Sequence, residues 1–203
     1  MLSLRSQSSP EWGTLLIEVV LIVLGVLLGL FANEWRKARA DQARSEVALE
    51  QIRAEIAYNQ SEIDSSLVAY HEQVSDSLAR LVSRGEAGVA VTADAVQRAL
   101  PNGFRVPLLQ TTAWDLSVQT GIINQFDLST VAPIARAYNL QQFLQGKLDR
   151  ISDNFYIASN VDPRVAQGQA RAMSILVGDI AIQERKLMRL YPEALNPLPA
   201  SDL

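Results

Sequence analysis

The chain has no cysteine and a single histidine among its 203 residues. Without a thiol there is no disulfide framework, no thiolate metal site and no cysteine nucleophile. With His71 alone, a multi-histidine metal cluster is excluded, and a Ser–His pair could be built only through that residue. Charge of one sign is missing too. Eighteen Lys and Arg stand against 22 Asp and Glu, a net charge of −4, which argues against a nucleic-acid partner. Strand signals are scarce: few alternating β-branched runs, no Asn-Gly turn between such runs, no internal repeat, and no glycine-rich phosphate loop behind a strand. Proline and glycine are absent from Trp35 to Arg84.

What is present is unevenly distributed. Thr14 to Ala32 reads TLLIEVVLIVLGVLLGLFA, with Glu18 as its one charge. As a helix these nineteen residues span ~28 Å, close to the ~30 Å of a bilayer's hydrocarbon core. Trp12 and Trp35 flank the block, ~35 Å apart along a helix, and act as interfacial anchors, where ring and N–H are both satisfied. We therefore expect a tail over 1–12 and a transmembrane helix over 13–33. A buried helix of a soluble domain is the bland alternative. A cleaved signal peptide is disfavoured by the length of the apolar run, by the charges Glu34 to Lys37 directly after it, and by Arg39 inside the small-x-small spelling Ala38-Arg39-Ala40.

At 100° per residue, Thr14, Glu18, Gly25, Gly29, Ala32 and Arg36 fall within about 40° of one line. Gly25 and Gly29 form a G-x-x-x-G pair, a flat groove that admits a second helix at close range; lipid suits the other faces. Glu18 lies ~9 Å deeper than Trp12. It must be protonated, paired or close to the interface. A polar contact to a partner helix, a proton or ion path, and snorkelling are its three readings. Arg5 precedes the block, whereas Arg36, Lys37, Arg39 and Arg44 follow it, so the positive-inside rule leans to a cytoplasmic soluble domain.

The remainder reads as all-α. From 34 to 84 the apolar positions Leu49, Ile52, Ile56, Ile63, Leu67, Tyr70, Val74, Leu78 and Leu81 recur at steps of three and four. One long amphipathic helix is expected there, continuous with the anchor and ended by Gly85 and Gly88. The stripe skips a turn at Asn59-Gln60; Asn59 is either a register-fixing residue on a packed seam or a polar residue at its edge. Thr92 caps a short helix, ADAVQRAL, stopped by Pro101-Asn102-Gly103. Phe104 to Gln110 is an extended linker. Thr111 or Thr112 caps a second short helix closed by Gly121, with Trp114, Leu116 and Val118 as core candidates and Trp114 as packed indole or ligand shelf. Asp127 to Thr130 starts a helix with Pro133 in its first turn and a stripe Ile134, Tyr138, Leu144, Leu148, Ile151, Phe155, running to about Ser159. Asp162-Pro163 starts the last, with Val165, Ala172, Leu176, Ile180, Leu187 and Leu190, ending at Tyr191-Pro192. The expected architecture is a small bundle of three long and two short helices, its remainder over 85–192 and a tail over 193–203.

A search for chemistry yields no catalytic, cofactor-binding or metal constellation. Acids stand at helix starts or opposite bases, as on solvated helix faces. His71, beside Glu72 and near Asp76, reads as a surface residue, and Arg185-Lys186 and Arg189 suit the end of a helix. The chain reads as no enzyme and as needing no cofactor.

The N-terminal pattern from Glu11-Trp12 through IVLGVLLGLFANEWRKAR, then LEQIRAEIAYNQ, resembles a large group of uncharacterised bacterial membrane proteins. The group shares an early acid in one apolar helix, a G-x-x-x-G-like core and Asn-x-Trp; here those positions are Glu18, Gly25, Gly29, Asn33 and Trp35. TTAWDLSVQTGIINQFD is similar to the group's second recurring stretch. The resemblance implies a bacterial inner membrane and carries no activity; more basic residues before the helix in the group imply a periplasmic domain, opposite to the charge count here. The first functional expectation is an accessory or scaffolding subunit whose partners are lipid and other transmembrane helices, of the same chain or of a larger complex. A membrane-anchored helical sensor and a proton- or ion-coupled element using Glu18 are the alternatives.

Overall fold

The structure is a computed structural model that describes residues 12–155 and 162–196. The described residues are all-helical and hold no strand. Helix α1 is Trp12–Glu62, α2 Ser65–Glu86, α3 Ala93–Arg98, α4 Thr112–Gln119, α5 Leu128–Phe155 and α6 Pro163–Leu195, with a 3₁₀ turn over Ile122–Gln125. The chain divides between Glu46 and Val47 into two compact units. In the first, every large apolar side chain from Leu15 to Phe31 is 47–74% exposed.

The expected single helix over 34–84 is two. It breaks at Ile63-Asp64 without proline or glycine. Asp64 takes an extended conformation (φ −90°, ψ 170°), and its carboxylate accepts the Leu67 N–H at 2.8 Å and the Ser66 hydroxyl. Those bonds hold its carboxyl below the ordinary carboxylate range. Asp-Ser-Ser thus supplies N-cap chemistry that competes with helix continuation. Ile63, fully buried, is the pivot. The described residues therefore hold four long helices where three were expected.

In the second unit α6 packs along α2 and α5. Its buried positions include Ala166, Ala170, Met173, Val177, Ile180, Glu184, Leu187, Tyr191 and Ala194, at alternating steps of four and three, with Ala181 buried beside them. The expected stripe is thus partly out of phase. Val165 and Ala172 face solvent, Leu176 and Leu190 are half-buried, and Ile180 and Leu187 alone of that set are fully covered. Beside Ser75 of α2 the α6 residues are small because the two helices come very close there. Ser75 Oγ donates to Ser174 O (2.9 Å), Ser174 Oγ donates to Ser75 O (3.1 Å), and a Cβ on Gly178 would stand 3.0 Å from Ser75 Oγ.

Both prolines lie deeper in helices than expected. Helix α5 starts at Leu128, with Asp127 O accepting from Thr130 and Val131, so Pro133 sits in the second turn. Helix α6 continues through Pro192 to Leu195, because Tyr191 and Ala194 are buried on either side of it and reward the extra turn. Ile134, Tyr138, Leu144, Leu148 and Ile151 line the core as expected. In α4 the phase differs: Ser117 is buried, whereas Leu116 and Val118 are 54% and 48% exposed. The Phe155 side chain, Ser159, the 1–11 tail with Arg5, the Thr14 side chain and 197–203 lie outside the described residues.

Candidate functional site

Glu18, Gly25, Gly29, Ala32 and Arg36 all stand on α1 with their described side chains exposed, and a Cβ at Gly25 or Gly29 would meet nothing within 4 Å. Trp12 and Trp35 are exposed as well, and the Arg39 guanidinium lies 4.7 Å from the centre of the Trp35 ring. This helix, with mean hydropathy 2.9 in its most apolar window, is long and apolar enough to cross a membrane. The expected packing line is thus one open helix face, not a pocket.

The polar chemistry of the second unit lies where the sequence reading did not place it. His71, expected at the surface, is fully buried with Glu184. Its Nδ1 lies 2.8 and 3.0 Å from the two Glu184 carboxylate oxygens, and its Nε2 lies 2.9 Å from Arg105 O. The Phe104 ring stacks on the imidazole, centroids 4.9 Å apart. A carbonyl only accepts, so Nε2 carries a proton and donates it. His71 takes a core seat of α2 (Leu67, His71, Val74, Leu78), and Glu184 takes one of α6. The one sequence signal for both was their phase.

A second polar cluster joins α1, α5, α6 and the linker. Asn59, fully buried, donates to Gln110 O (2.8 Å) and accepts from Gln110 N–H (2.7 Å). Gln141 Nε2 donates to the same carbonyl at 2.8 Å, while its Oε1 accepts from Asn59 (3.1 Å) and from the Tyr191 hydroxyl (3.1 Å). Asn59 is therefore the packed-seam residue, and it fixes the linker rather than a helix register. Glu55, expected on a solvated face like the other acids, is buried. It accepts the Tyr138 hydroxyl at 2.5 Å and the Ala113 N–H at 2.8 Å. The second bond caps α4 from another helix, whereas Thr111, at the N-cap position, gives its hydroxyl to Asp115 instead. Thr92 caps α3 as expected, accepting from Ala95 at 3.2 Å. Burial pushes the Tyr138 hydroxyl well above its ordinary range, and Glu55 adds to this by hydrogen bond and charge; burial does the same to Tyr191.

Beside this cluster α4, α5 and the linker enclose a cavity of about 320 Å³. Trp114 and Tyr138 line it, stacked with centroids 5.0 Å apart and planes 12° apart. Asp115, Asn139, Gln142 and Gln145 supply polar groups to its wall. Trp114 thus both packs on the core and faces a cavity. No family model, no curated protein and no solved structure matches the chain.

Proposed function

We propose that the chain is a non-enzymatic, single-pass membrane protein of the bacterial inner membrane, acting as an accessory or scaffolding subunit. It packs against other transmembrane helices through Glu18, Gly25, Gly29 and Ala32, with Thr14 and Arg36 at the ends of that line. The observation that carries this reading is the bare apolar helix, whose side chains from Leu15 to Phe31 have no protein cover. At about 25 cal/mol per Å² such a surface is costly in water, and lipid removes the cost. A carboxyl and two glycines on one line break the lipid-suited surface and support helix–helix contact there. The non-enzymatic part is supported by the sole imidazole, which is buried with both nitrogens engaged. Arg36, Lys37, Arg39 and Arg44 favour a cytoplasmic soluble domain.

The test is purification in mild detergent with mass determination. A homo-oligomer or a stoichiometric complex is expected, and Gly25→Leu with Gly29→Leu should dissociate it. A strictly monomeric, partnerless wild-type chain overturns the reading.

A further inference from the structure

The cavity beside α4 has the chemistry of a ligand site. Its aromatic wall is the Trp114 indole stacked on Tyr138, and because Tyr138 is only 4% exposed, the half-buried indole supplies the aromatic surface that remains open. Glu55 sets both rings: it holds the Tyr138 hydroxyl and the backbone N–H of Ala113, directly before Trp114. The platform is therefore preorganised, which lowers the entropy cost of binding. The polar wall is rich in amides. Asn139 and Gln142 make no side-chain hydrogen bond within the chain among the described residues, and each offers donors and an acceptor. Asp115 is the one carboxylate, already accepting from Thr111, and no lining residue is cationic.

These features select a ligand class. With a carboxylate and no cation, phosphates and carboxylates are disfavoured. A quaternary ammonium wants several ring faces around it, whereas these rings are stacked on each other. A sugar ring presents a weakly positive C–H face to the electron-rich rings and hydroxyls that both donate and accept to the amides. The volume, about 320 Å³, lies at the small end of ligand clefts. We propose that this cavity is a binding site for a neutral mono- or disaccharide, with Trp114, backed by Tyr138, as the stacking wall and Asn139, Gln142 and Asp115 as hydroxyl partners. The site stands independently of the packing assigned to α1.

The test uses the full chain in a polyoxyethylene detergent, since a glycosidic detergent would present the same chemistry. Trp12→Phe and Trp35→Phe leave Trp114 as the sole indole reporter. D-glucose, D-galactose, N-acetyl-D-glucosamine and their disaccharides are titrated against its emission. At least one should give a saturable change with a Kd on the order of 1 mM or tighter. Asn139→Ala and Gln142→Ala, both at exposed helical positions, should each weaken it about tenfold with circular dichroism unchanged. Tetramethylammonium should give no response. No saturable sugar response, a response to tetramethylammonium instead, or a sugar response untouched by both variants overturns the proposal.

Discussion

His71 and Glu184 show how much one buried pair constrains. Both side chains are out of water, and each polar atom has its partner. Removing either leaves the other stranded, so His71→Ala and Glu184→Ala should each cost about 3–5 kcal/mol in urea unfolding of the detergent-solubilised chain. The double change His71→Leu with Glu184→Met should cost clearly less than the two singles together. Additive costs would show that the pair is not coupled. Two tyrosines give a pH-dependent counterpart. Tyr138 and Tyr191 keep their protons in the folded chain at pH values where the unfolded chain releases them. Stability from these hydroxyls is complete below about pH 10 and falls above it, by up to about 1.4 kcal/mol per pH unit for each tyrosine. Tyr191→Phe should make the alkaline decline of the unfolding free energy shallower by one such increment; an unchanged slope contradicts the assignment.

At the scale of elements, the α1–α2 break teaches the most. Fifty residues without proline or glycine read as one helix, and Asp64-Ser65-Ser66 was nevertheless enough to start a new one. Its cap also carries a pH dependence. Asp64's carboxyl is held below its ordinary value, so the cap stabilises the chain above about pH 4 and is lost as pH falls below that. Asp64→Ala should lower the thermal midpoint at neutral pH and flatten the acid-side decline, while Asp64→Ser should retain the midpoint. Equal midpoints for wild type and Asp64→Ala would refute the cap's importance. Caps read from neighbours held where the partner was local, as at Thr92. At the start of α4 the cap came from Glu55, 58 residues before the Ala113 N–H that it accepts, and no local pattern could announce it.

For the whole molecule, the apolar segment of α1 sets the physical behaviour. The chain should stay with membranes through an alkaline carbonate wash. Val20→Lys with Leu27→Lys, two exposed positions within the apolar segment, should release it to the soluble fraction, at ~2.5–3.5 kcal/mol per charge in the bilayer centre. Retention of that double variant would mean that something other than lipid burial holds the protein.

The sequence by itself determined the long apolar segment of α1, the all-helical class, the non-helical linker and the apolar stripe of α5. Each of these depends on residues within a few positions of one another, through hydropathy, periodicity and capping. Only the tertiary structure decided which polar side chains are buried, which phase of α6 faces the core, and that Trp114 meets Tyr138 over a cavity. Burial of a charge or an amide depends on a partner from another helix: Glu184 for His71 lies 113 residues away, Gln141 for Asn59 lies 82 away. One chain's local pattern holds the phase of such residues but not the identity of what faces them.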